Sequence, residues 1–263
     1  MSILSYGCGR VYRNGGVSAK HIVSTVVDRV ADIFADEAQL AAIRREIRPQ
    51  EWSNVMWSLA SVGIDCNDRQ VRTLLTGYYD NVTPSMLRSW KGQELNNICW
   101  SLAKILTPVS PVLRGRDYDF LESFAKVVRE KVNGFKSRDV STVLYALSSL
   151  GWEGRGGDRS VYYELCGKGM GQAWWTPQEV SNSVYGLAKL GIGPEEDARV
   201  ARFYEEAKKT VLKKMAMFKP QEVKDVLWGF SKGGVYNPGL FGFVAGESRA
   251  QRTERSRLPA IQA

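Results

Sequence analysis

Five stretches of this chain align with one another without a gap. They are PQEWSNVMWSLASVG from Pro49, GQELNNICWSLAKIL from Gly92, SRDVSTVLYALSSLG from Ser137, PQEVSNSVYGLAKLG from Pro177 and PQEVKDVLWGFSKGG from Pro220. An aromatic fills the same column each time, at Trp57, Trp100, Tyr145, Tyr185 and Trp228, with steps of 43, 45, 40 and 43 residues. Self-similarity at such a period is the mark of a repeat architecture, in which one unit cannot bury its own apolar face and neighbours must stack.

Each stretch reads as a helix. An acid stands near its start (Glu51, Glu94, Asp139, Glu179, Glu222), where negative charge complements the helix dipole. Thr176-Pro177-Gln178-Glu179 has the form of a capping box with proline in the first turn. Gly63, Gly151, Gly191 and Gly234 stand where a left-handed residue ends a helix. Trp52, Val55, Met56, Leu59 and Val62 form an apolar stripe at helical spacing, and Leu95, Ile98, Cys99, Leu102 and Ile105 repeat it. The small residues Ala60, Ala103, Ser148, Ala188 and Ser231 let a neighbouring helix come close.

A second helix is predicted between successive stretches, at 67–80, 117–132, from Asp158, and at 194–216, with one or two leading helices in 18–46. The expected fold is all-α: an α-solenoid of about five tandem antiparallel helix pairs of 40–45 residues. A basic arm (1–17), the solenoid (18–245) and an Arg-rich tail (246–263) make up the chain.

PQEVSNSVYGLAKLG and its kin resemble the octotricopeptide repeat, whose consensus resembles P-P-E-x-x-x-x-x-L-W-A-L-A-x-L-G. The match runs over residues 49–234 and is specific at the acid, aromatic, Leu-Ala and Gly columns. The second unit departs from it, with Gly92 in the proline column and Leu106 in the glycine column. The RAP-type nuclease-like domain that often follows related repeats has no counterpart in residues 235–263. The resemblance implies an organellar RNA-binding protein acting in transcript stability, processing or translation, or as a ribosome component.

The charge balance points the same way: 36 Lys and Arg against 28 Asp and Glu give a net +8, a field that favours polyanions. Opposite the apolar stripe, short polar residues precede the aromatic: Ser53 and Asn54, Asn96 and Asn97, Ser141 and Thr142, Ser181 and Asn182, Lys224 and Asp225. Short amides and hydroxyls can bond base edges, so these are the candidate base contacts. One turn after the aromatic, Lys104, Lys189 and Lys232 are candidate phosphate contacts, beside Ser61 and Ser149 in the same column. Lys208, Lys209, Lys213 and Lys214 form the densest basic stretch, and Arg249, Arg252, Arg255 and Arg257 line a tail that a partner would have to order. The aromatic column suits packing between repeats better than stacking on bases.

Other chemistries find no support. Cys8, Cys66, Cys99 and Cys166 form no CxxC and fit buried, reduced thiols. His21 is the only histidine, which excludes multi-histidine metal sites within the chain. The Gly-rich runs at Gly154 and Gly167 lack a Walker ending, and Glu195, Glu196 and Asp197 read as a helix start. No enzyme activity, cofactor, metal or membrane span is expected. Residues before Asp28 carry no acid, which fits an organelle transit segment or a flexible basic arm. The resulting expectation is an RNA-binding scaffold in an organellar, mitochondrial ribosome, contacting rRNA and neighbouring proteins. A plastid location, a transcript-specific factor and a protein-only scaffold are the alternatives.

Overall fold

The computed structural model describes residues 48–63, 69–107, 115–170 and 175–235, with isolated positions between 25 and 36. The basic arm, the tail with Arg249, Arg252, Arg255 and Arg257, and the cysteines Cys8 and Cys66 lie outside the described residues. So does most of 18–46, although Thr25, Asp28, Arg29 and Asp32 are helical there.

The fold is all-helical, with no strand among the described residues. Five helices carry the repeated stretches: α1 (Pro49–Val62), α4 (Gly92–Leu106), α6 (Ser137–Ser149), α8 (Pro177–Lys189) and α10 (Pro220–Lys232). Between them lie α2 (Arg69–Asn81), the short α3 (Pro84–Ser89), α5 (Arg116–Lys131), α7 (Ser160–Met170) and α9 (Ala198–Lys214). In the first row α1 packs on α4, α4 on α6, α6 on α8 and α8 on α10. In the second row α2 and α3 pack on α5, α5 on α7 and α7 on α9. The result is two layers of stacked helices, the arrangement the repeat predicts.

The local signals act as expected. In all five first helices the acid accepts the backbone N–H three residues upstream: Glu51 from Arg48 at 2.9 Å, Asp139 from Lys136 at 2.9 Å, Glu179 from Thr176 at 2.8 Å. Glu94 and Glu222 do the same for Lys91 and Lys219. This satisfies a donor the helix cannot satisfy itself. Thr176 alone completes the reciprocal half, accepting Glu179 N–H at 3.3 Å. Gly63, Gly151, Gly191 and Gly234 have φ of +70°, +65°, +69° and +70°, the left-handed turn that only glycine enters cheaply. The second unit, with Leu106 in that column, ends instead through Thr107, whose N–H bonds Ala103 at 3.2 Å.

Two tyrosines fasten the exit of that turn. Tyr162 donates to the carbonyl of Trp152, and Tyr204 to that of Ile192 at 3.1 Å, each carbonyl lying just past a left-handed glycine. The second helices thus hold the loops that follow the first ones.

The apolar stripes are the core. Met56, Leu59, Leu95, Ile98, Cys99, Leu102, Leu144, Leu147, Val184 and Leu187 are at most 1% exposed. A Leu→Ala change at such a site costs about 2–5 kcal/mol. Cys99 and Cys166 are free, buried thiols, and burial pushes both well above the usual thiol range. Two boundaries differ from expectation. The last second helix begins at Ala198 rather than 194, because the Asp197 carboxylate caps it by accepting Arg199 N–H at 2.7 Å. Helix α3, which no periodicity announces, starts on Thr83-Pro84, with Thr83 accepting Met86 N–H at 3.3 Å.

Candidate nucleic-acid interface

At about 100° per residue, a first helix has four sides, and the structure uses each differently. Counting Pro49, Gly92, Ser137, Pro177 and Pro220 as position 1, the stripe at positions 4, 7, 8 and 11 enters the core. One flank meets the next repeat and the other flank meets the preceding one. Positions 2, 6, 9 and 13 remain, and they form an open face running across all five helices.

The flanks account for a correction. Ser53, Asn96, Ser141 and Ser181, at position 5, are buried, at 1%, 6%, 2% and 2% exposure. They sit about 100° from the stripe, on the flank against the following repeat, rather than opposite it. Asn96 donates to Asp139 of the next first helix. Ser53, Ser141 and Ser181 each turn back to the carbonyl three residues upstream, at 3.0, 3.3 and 3.1 Å. These four side chains bond within the protein and are not presented to a ligand. Lys224 holds the same position in the last described repeat and is exposed.

Position 6 lies nearer the open face. Asn97, Thr142, Asn182 and Asp225 are half-buried there, while Asn54 is buried. Asp225 accepts a hydrogen bond from Gln221 at 2.8 Å. The aromatics at position 9 form a ladder. Trp57 and Trp100 stack at 6.4 Å between centroids, Tyr145 and Tyr185 lie at 6.4 Å, and Tyr185 and Trp228 at 4.9 Å. Packing between adjacent repeats is therefore their main role, although each keeps an edge on the open face and Trp228 is 37% exposed.

Lys104, Lys189 and Lys232, at position 13, are exposed. Lys104 stands over the Trp100 ring with Nζ 5.9 Å from its centroid, and Lys189 donates to the Ser149 carbonyl at 3.3 Å. Cations in a last turn also complement the helix dipole. Ser61 and Ser149 hold the column in the other two repeats and are half-buried.

A second basic row stands at the other end of the same helices. The residue before position 1 is Arg48, Lys91, Lys136, Thr176 and Lys219, and all five are exposed. Four of the five are cations at the positive end of a dipole, where charge of that sign is unfavourable and Ser, Thr, Asp or Asn would cap better. Arg48 pairs with Glu51 at 3.1 Å, but among the described residues no ion pair accounts for Lys91, Lys136 or Lys219. They are legible in the sequence one place upstream of the aligned stretches. From Lys91 to Lys104 the two rows are about 20 Å apart along the helix.

The second row of helices holds most of the ion pairs. Many of its charges pair with one another, largely between repeats: Arg72–Asp117 at 3.2 Å, Arg88–Glu130 at 2.6 Å, Arg155–Asp119 at 2.8 Å, Arg159–Glu196 at 2.8 Å, Arg199–Glu164 at 2.7 Å, while Lys126, Lys168, Arg202 and Lys213 form no ion pair among the described residues. Lys208 and Lys209 belong to this layer, paired with Glu205 at 2.7 Å and Glu206 at 2.8 Å, and Lys214 donates to the Trp175 carbonyl at 2.7 Å. Lys213 is exposed on the same helix. The basic stretch of α9 therefore does not extend the open face but belongs to the other layer. Among the described residues, Lys91, Lys104, Lys136, Lys189, Lys219 and Lys232 form no ion pair, and the acids near them are bound into helix caps.

No family model matches the chain, and no curated protein matches it. Among the described residues no cluster of three or more His, Cys, Asp or Glu could hold a metal ion, and no helix is long and apolar enough to cross a membrane.

Proposed function

We propose that this chain is an RNA-binding helical-repeat scaffold of the octotricopeptide type, a structural component of a mitochondrial ribosome that contacts rRNA and neighbouring proteins. The observation that carries the reading is the placement of lysines without ion pairs on the first layer. Most of the ion pairs lie in the second-helix layer, while two rows of lysines without ion pairs border an aromatic and amide stripe on the first. A phosphate backbone lying across the helices would meet a cation row on either side. Phosphate contact of this kind is independent of sequence and releases counterions.

The burial of position 5 bears on the choice between scaffold and transcript-specific factor. Reading one base per repeat requires several side chains per helix to reach a base edge. Here the burial of position 5 leaves each first helix only positions 2, 6 and 13 around its aromatic, which favours clamping a folded RNA over selecting one transcript. The acid-free segment before Asp28 supports the organellar location, with a plastid as the alternative.

The test is binding of the purified chain to single-stranded RNA across a salt series, together with its sedimentation in an organelle extract. Salt-dependent binding and co-migration with ribosomes are expected. Absence of salt-dependent RNA binding would reduce the chain to a protein-docking array, and free sedimentation would remove it from the ribosome.

A further inference from the structure

The aromatic ladder has one open step. Among the four neighbouring pairs in the column, Trp100 and Tyr145 alone make no ring contact, and the sequence step between them, 45 residues, is the longest in the array. The junction is closed about one turn earlier, where Asn96 bonds Asp139 and a Cβ on Gly92 would stand 3.0 Å from the Asp139 carboxylate. So α4 and α6 are tied at Asn96 and Asp139, while Trp100 and Tyr145 make no ring contact.

This difference decides which rings can stack on a ligand. Tyr185 has a ring on each side, Tyr145 at 6.4 Å and Trp228 at 4.9 Å, and shows the solvent an edge. Trp100 and Tyr145 each have a neighbour on one side only, Trp57 and Tyr185 respectively. Both are half-buried, and Lys104 holds its ammonium over Trp100. A planar ring entering the step would gain an aromatic partner on each side. It would displace a cation already placed to meet the phosphate attached to it.

We infer that the step between Trp100 and Tyr145 is a slot for a single unpaired nucleobase, so that RNA is anchored by stacking at one place mid-array rather than once per repeat. The inference rests on the RNA-binding reading and specifies the RNA as single-stranded at that point. Stacking tolerates any base, because every base has a π-face.

The probe is an oligouridylate RNA of about 12 nucleotides, within the range such grooves accommodate. Binding to the full chain is compared for Trp100→Leu, Tyr145→Leu and Tyr185→Leu, each checked for folding by circular dichroism. About ten-fold weaker binding is expected for the two slot variants, with less than about two-fold for Tyr185→Leu, and Tyr145→Phe should bind normally. Ultraviolet crosslinking of a 4-thiouridine version to the unaltered chain should label the peptides holding Trp100 or Tyr145, which keeps the test open if a variant misfolds. Equal losses at all three rungs, or crosslinks confined to other repeats, overturn the slot and leave RNA binding standing. No binding by the unaltered chain overturns both.

Discussion

Asn96 on α4 donates its side-chain amide to Asp139 on α6, and the other oxygen of the same carboxylate accepts Lys136 N–H at 2.9 Å. One aspartate therefore caps its own helix and ties it to the preceding repeat. It also explains the departure at Gly92, since a side chain there would press on the Asp139 carboxylate.

Removing Asp139 should accordingly cost more than removing its partner. Asp139→Ala strips the cap of α6 and leaves the buried Asn96 amide unpaired, an expected loss of about 2–4 kcal/mol. Asn96→Ala leaves the cap in place and should cost about 1–2 kcal/mol. Urea unfolding of the two variants measures the difference. Equal losses would show that the inter-repeat bond, and not the cap, dominates.

Close helix approach in the first row depends on small residues at position 10. A Cβ on Gly229 would stand 2.6 Å from Val184 Cγ1 and 3.0 Å from its carbonyl, and one on Gly186 would stand 2.7 Å from Ser148 Oγ. Replacing a mid-helix glycine with alanine normally gains about 1 kcal/mol. Here the sign should reverse, with a net loss of about 1–3 kcal/mol for Gly229→Ala, because a backbone cannot give way. Gly186→Ala should cost less, since its nearest contact is a side chain and the Leu144 carbonyl stands farther off, at 3.2 Å. Thermal unfolding of both proteins tests the order.

These contacts show what the sequence could and could not reveal. The acid column, the four terminal glycines and the Leu59, Leu102, Leu147, Leu187 column act within one helix, so each is legible from spacing alone. A wheel drawn for one helix has only an inside and an outside, and it places position 5 in the open. A solenoid helix is covered on three sides, and Ser53, Ser141 and Ser181 lie on the third. The ion pairs between repeats are equally hidden. Arg159 and Glu196 are 37 residues apart, and only the stacking of α7 on α9 brings them together.

Acid should loosen the entry to α9 specifically. Arg199 donates to Asp197 from its guanidinium, at 2.9 Å to each oxygen, and from its backbone, holding that carboxyl down at about 2. The folded value lies below the unfolded one, about 3.9. The stabilisation is therefore complete above about pH 4 and is lost as pH falls towards 2. Asp197→Asn should flatten that part of the acid-unfolding profile, followed by circular dichroism, and leave the profile above pH 5 unchanged apart from a constant offset. A profile still steep between pH 4 and 2 would assign the acid sensitivity to other carboxylates.

The proposal that the first layer faces RNA can be tested by exchanging charge on each layer in turn. Lys104, Lys189 and Lys232 are exposed and without ion pairs on the first layer, and Lys209 and Lys213 are exposed on the second. For single strands each phosphate neutralised adds about 0.7 to the slope of log affinity against log salt. Converting the three first-layer lysines to glutamine should lower that slope by about 2 and weaken binding at low salt. The pair Lys209→Gln and Lys213→Gln should change it by less than about 0.5, because that surface lies on the far layer. Stability separates the effect from unfolding: exposed charges contribute well under about 1 kcal/mol each, so both variants should keep the parent unfolding midpoint. If the α9 pair lowers the slope and the triple variant does not, RNA lies along the second helices and the first-helix face is left without a ligand.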